Sequence, residues 1–77
     1  MSPMPNRARL LDVVQLLSAQ ADWPAGTIGT VVDALDDHAT VEIADEDGET
    51  LAILETPYDA LRVVASPPDE AGRRLAV

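Results

Sequence analysis

Across residues 25–64 the chain alternates apolar and polar positions in short runs, each closed by turn residues. The rhythm has a period of two rather than 3.6, the signature of strands. It is cleanest over 39–44, where Val41 and Ile43 fall on one face and Thr40 and Glu42 on the other. Asp45-Glu46-Asp47-Gly48 follows, and an Asp-Gly pair between alternating runs predicts a hairpin. The partner strand is expected over 50–55, with Leu51 and Ile53 on one face and Ala52 and Leu54 on the other, apolar on both sides. Upstream, 27–35 is rich in β-branched residues, and Gly29 within it predicts a bulge or a close backbone approach. Asp36-Asp37-His38 is expected as a tight turn. Downstream, Pro57 suits the first position of a single 3₁₀ turn over 56–61, and 62–64 is the last strand. The run 10–17 fits helical spacing through its leucines, but the Val13-Val14 pair and the short length favour a strand. Residues 18–26, with Pro24 and Gly26, read as a loop.

Five short strands, the last set off by one helical turn, predict an all-β fold: a small five-stranded SH3-like barrel with a short 3₁₀ turn before the last strand. A Gly-x-x-Gly-x-Val pattern recurs in such barrels and stands here as Gly26 to Val31. Together with Asp12-Val13-Val14, the residues to Val32, Asp45 to Gly48, Thr50-Leu51-Ala52 and Leu61-Arg62, it resembles a small bacterial family catalogued as domain of unknown function 4926. The resemblance covers roughly residues 10–64 and rests on structural motifs. The chain departs from the family pattern in a shorter loop between the first two strands, with no Lys in it. Members of that family are often encoded beside small toxin-like proteins, so the resemblance implies an antitoxin or immunity role. The expected organisation is a flexible arm over 1–9, the barrel over 10–65 and a flexible tail over 66–77.

Composition narrows the function. Seventy-seven residues make one domain near the lower limit at which a core supports folding alone. That core must be aliphatic, since the chain has no Phe, one Trp and one Tyr. Without Cys there is no disulfide, no cysteine-ligated zinc and no thiol catalysis, and one His cannot furnish a histidine-rich metal site. No apolar run is long enough to span a membrane. The apolar run after Arg7 and Arg9 is broken by Asp12 and Gln15, which leaves it unlike a signal peptide and favours a cytoplasmic protein.

The net charge of −9 is unevenly placed: Arg7, Arg9, Arg62, Arg73 and Arg74 are the only Lys or Arg residues, and ten carboxylates from Asp33 to Asp59 have none among them. Such a surface repels phosphates and speeds encounter with basic proteins, although charge also simply keeps a small apolar domain soluble. Nucleic-acid binding would need a basic groove with stacking aromatics, and the chain has neither. The acidic turn fails as a calcium loop, because with Gly48 at the sixth position the first and twelfth ligand positions fall on Ile43 and Leu54. Turn chemistry accounts for Asp36, Asp37 and His38 better than catalysis does. No catalytic, cofactor-binding or metal-binding residue is expected.

These readings converge on a protein-binding module. Its expected surface is an acidic row, Asp33, Asp36, Asp37, Glu42, Asp45, Glu46, Asp47 and Glu49, with Trp23 and Tyr58 as the aromatics that either cap the barrel or anchor a partner. The expected partner is a basic protein, toxin-like or an enzyme subunit; a hydratase-type accessory or activator role is the alternative. Homo-oligomerisation stays open.

Overall fold

The computed structural model describes residues 7–67. Five strands follow in order, β1 (Val13–Leu16), β2 (Ile28–Ala34), β3 (His38–Ala44), β4 (Thr50–Pro57) and β5 (Leu61–Ala65), with a 3₁₀ turn, η1 (Tyr58–Ala60), between the last two. All pairings are antiparallel, in one sheet of order β4-β3-β2-β1-β5. The fold is all-β, as the alternation predicts. The ladder does not close, however: β4 and β5 are both edges, so the barrel is a barrel in wrapping rather than in hydrogen bonding.

That wrapping follows from the core. Val14, Leu16, Val31, Ala39, Val41, Ile43, Leu54 and Leu61, drawn from all five strands, form one buried cluster. No helix or second sheet among the described residues covers the inner face, so it becomes dry only if the sheet bends over itself. Burying each Val, Leu or Ile contributes about 1.5–3 kcal/mol, which is why so small a chain packs without Phe. None of the described helices is long and apolar enough to cross a membrane.

Two devices bend the sheet. Gly29 passes so close to β3 that a Cβ there would lie 2.6 Å from Val41 Cγ1, 2.8 Å from Ile43 Cδ1 and 2.9 Å from the Glu42 carbonyl oxygen. The close approach expected at Gly29 is therefore present, and the bulge sits further along. The register passes from Val31 opposite Val41 to Asp33 opposite Thr40, leaving Val32 as the extra residue. Val31 points into the core while Val32 is exposed.

The first strand is shorter than the run 10–17. Residues 9–12 form a turn in which the Asp12 N–H donates to the Arg9 carbonyl (3.0 Å) and Leu11 takes φ 71°. A Leu in this region is strained. Asp12 holds it there: its buried carboxylate accepts the Arg9 N–H at 2.9 Å, and its carbonyl accepts the Val31 N–H at 2.9 Å. Packing also begins earlier than Leu10, because Ala8 lies in the core cluster. Residues 1–6 and 68–77, and with them most of the expected arm and tail, lie outside the described residues.

The Asp47-Gly48 hairpin turn forms as the sequence predicts. Gly48 takes φ 86° and donates its N–H to the Asp45 carbonyl at 2.9 Å, while the Asp45 N–H reaches the Glu49 carbonyl at 2.9 Å. The Asp45 side chain accepts the N–H groups of Asp47 and Glu49, each at 2.9 Å, so this carboxylate organises the loop.

Candidate functional site

The expected acidic row occupies two ends of one hairpin. Asp33, Asp36 and Asp37 lie where β2 turns into β3; Asp45, Glu46, Asp47 and Glu49 lie where β3 turns into β4. The seven residues of β3 separate them, a span of about 20 Å at strand rise. Glu42 stands between, half-buried on the outer face, where its carboxylate accepts the Thr50 hydroxyl.

The β2–β3 end is the more structured of the two. The Leu35 N–H donates to the His38 carbonyl at 2.9 Å, and the Leu35 carbonyl accepts both the Tyr58 hydroxyl at 2.6 Å and the Arg7 guanidinium at 2.6 Å. The guanidinium also donates to the Asp36 carbonyl at 2.7 Å and lies 4.0 Å from the centroid of the Tyr58 ring. Tyr58 is thus tied to the acidic turn, half-buried and packed against the core. Arg7 places one cation among the three aspartates.

His38 is the first residue of β3 rather than the last of the turn. Its Nδ1 lies 2.6 Å from Asp37 Oδ1 and its Nε2 2.9 Å from Glu55 Oε1 on β4. Only the imidazolium donates from both nitrogens. The bond with Asp37, then that residue's charge and the bond and charge of Glu55, raise the His38 pKa above its usual value against some desolvation. The same His38 bond, with a backbone bond and the His38 and Arg7 charges, holds Asp37 below the ordinary carboxylate value. Thr40 Oγ1 donates to Glu55 Oε1 at 3.0 Å, so the nearest hydroxyl of this network addresses the carboxylate and not the imidazole.

Trp23 is apart from both acidic ends in sequence. It sits in the loop between β1 and β2, where it exchanges two backbone bonds of 2.9 Å with Gln20 across a turn in which Ala21 takes φ 51°. Half-buried, it packs against the core cluster, so part of its ring serves the fold.

Three features escape a reading of the linear sequence. Arg7 enters the site from ahead of the predicted barrel. Glu55 reaches His38 through the pairing of β3 with β4, a neighbour that spacing does not reveal. Leu51 and Ile53 form an exposed aliphatic pair on β4; the alternation puts them on one face without saying that it is the outer one. Among the described residues no group of His, Asp and Glu is arranged to hold a metal ion.

Comparison with known proteins bears on the family and not on the activity. Neither the curated proteins nor the solved structures contain a match. Residues 10–63 match the family model described as Domain of unknown function (DUF4926). This span takes in β1 to β4, η1 and most of β5, the whole frame that carries both acidic ends. The chain belongs to the DUF4926 family.

Proposed function

We propose that this chain is a small acidic protein-binding module of antitoxin or immunity type, which binds a basic partner protein in the bacterial cytoplasm and neutralises it, and that it is not an enzyme. One observation carries the reading: ten carboxylates from Asp33 to Asp59 without a Lys or Arg among them. Eight of them, Asp33, Asp36, Asp37, Glu46, Asp47, Glu49, Glu55 and Asp59, are exposed. A field of one sign steers an oppositely charged protein and disfavours phosphates. The described cations, Arg7, Arg9 and Arg62, are only three against these ten and lie outside that stretch of sequence. Both nitrogens of His38 face carboxylates, which supports the non-enzymatic part of the proposal. A second reading, an accessory or activator subunit of a hydratase-type enzyme complex, draws support from the exposed Leu51, Ile53, Ile28 and Leu35. Such a surface binds by burial rather than by steering.

Affinity capture from the native host at about 0.05 M and about 0.5 M salt separates the two, because screening shortens the reach of surface charge. The antitoxin reading expects a basic protein retained at low salt, less of it at high salt, and loss of its toxicity on co-expression. A partner of neutral charge held equally at both salts supports the accessory-subunit reading. Tight binding of plain duplex DNA at physiological salt would overturn both.

A further inference from the structure

Among the described residues the sheet ends on one side at β4, and nothing pairs with the backbone edge of that strand. Thr50–Pro57 pairs with β3, and no backbone hydrogen bond joins it to any other element among the described residues. Alternate residues of such a strand turn their N–H and C=O groups outward, a ready template for another strand. Proteins ordinarily blunt such edges with Lys, Pro, bulges or a covering segment. The other edge is treated that way: β5 is short, carries Arg62 and is followed by Ser66 and Pro67. On β4 the one irregularity is at its start, where a register shift leaves Leu51 with no residue opposite. From Ala52 to Pro57 the strand runs in unbroken register with β3, and Ala52 to Thr56 include neither Pro nor a cation.

The side chains beside this edge define what would sit on it. Leu51 and Ile53 are 54% and 52% exposed. Glu49 lies just before the strand and Glu55 near its end, both exposed. The arrangement along the edge is acid, two aliphatics, acid. We propose that β4 is a docking edge, completed as a sixth strand by an extended segment of a basic partner protein, with apolar residues against Leu51 and Ile53 and Lys or Arg against Glu49 and Glu55. The proposal rests on the protein-binding reading and names the mode of contact: backbone bonds supply affinity, flanking side chains set register. A second copy of this chain is the poorer occupant, since two chains of net charge −9 would bring like-charged strand ends together.

The test uses the full chain, ¹⁵N-labelled, and short capped peptides of the pattern Lys-Thr-Val-Thr-Val-Thr-Lys as probes. Leu51, Ile53 and Glu55 lie on one face of β4, so a matching strand must present its apolar and basic residues on one face too. The expected result is that the peptide shifts the amide signals of Ala52 to Thr56. Two N-methylated versions, each blocking one alternating set of peptide N–H groups, should then differ. The version blocking the set that faces β4 should bind at least about tenfold more weakly, the other like the parent, because only one set can enter a ladder. The same peptide with Glu in place of each Lys should not bind. Ile53→Lys should weaken binding of the parent peptide while leaving the melting temperature unchanged. Equal binding of both N-methylated peptides, or shifts confined to the Asp33–Asp37 turn, would overturn strand addition and leave the protein-binding reading standing. Binding of no basic peptide together with no basic partner in the host capture would overturn both. A β4-to-β4 dimer of the free chain in sedimentation and amide-exchange measurements would replace the basic partner with a second copy.

Discussion

Arg7 and Tyr58 share a single acceptor, the carbonyl of Leu35, and stack on one another, the guanidinium 4.0 Å from the ring centroid. The arrangement ties the start of the described chain and η1 to the β2–β3 turn. A double-mutant cycle with Arg7→Ala and Tyr58→Leu should show a favourable coupling of about 0.5–1 kcal/mol in urea unfolding. Additivity within about 0.3 kcal/mol would mean that the stack contributes nothing to stability.

Gly29 and Gly48 should fail for different reasons. Gly29→Ala forces a methyl against Val41, Ile43 and the Glu42 carbonyl, and should cost about 1–3 kcal/mol by overpacking. At Gly48 nothing lies within 4 Å of the added carbon, so Gly48→Val should cost about 1–2 kcal/mol through backbone conformation alone. Asn tolerates positive φ, so Gly48→Asn should recover most of the loss while Gly29→Asn recovers none. Thermal melts of the four variants check this.

His38 sets a pH dependence. Its pKa is raised in the folded chain, mainly by the bond to Asp37, so its contribution is complete below the unfolded value of about 6.5. It fades as pH rises through the folded value. Asp37 acts with the opposite sign through the same bond: its contribution is present above its ordinary value and lost as pH falls through the lowered one. The difference in melting temperature between the wild type and His38→Gln should therefore be larger at pH 5.5 than at pH 9. A difference that grows toward pH 9 would contradict the assignment. Because the His38 side chain is 32% exposed and Asp37 88%, the effect should be small and weaken with salt.

Thr56 is wholly buried, and its Oγ1 finds no hydrogen-bond partner among the described residues. Thr56→Val keeps the shape and removes an unpaired polar group, and should be neutral or stabilise by up to about 1–2 kcal/mol. Urea unfolding with an unchanged m-value is the check.

Trp23 separates stability from binding. Half-buried against the core, it should lower stability on Trp23→Ala by about 2 kcal/mol, less than a fully buried aromatic costs. If its exposed part also anchors a partner, the same variant should dissociate faster by an amount equivalent to about 2 kcal/mol or more. Melting and dissociation measured on one protein tell cap from anchor.

The strands and their faces were legible in sequence where one local rule governs one element. Val41 and Ile43 lie inside because alternation of period two has no competitor there, and Asp47-Gly48 turns because a glycine takes the positive φ of position 48 at no steric cost. The site was legible as composition and not as arrangement. Asp36 and Asp45 are neighbours in a list of acids, yet the hairpin sends them to opposite ends of β3. Arg7 meets Tyr58, and Glu55 meets His38, through the wrapping and register of the sheet, which depend on every strand at once. Open edges cannot be read locally either, since whether β4 is covered depends on where β5 ends up.

The cation-free stretch has a consequence for how the protein is cut. From Leu10 to Leu61 there is no Lys or Arg, so a trypsin-like protease has nothing to recognise between Arg9 and Arg62. That holds whether the sheet is folded or opened. Such an enzyme releases β1 through η1 in one piece, and its cut after Arg62, which is paired with Gln15 in the sheet, reports on the opening of β5 alone. Turnover of the rest of the sheet falls to proteases that read aliphatic or acidic residues, and their rate would track the opening of β1 to β4.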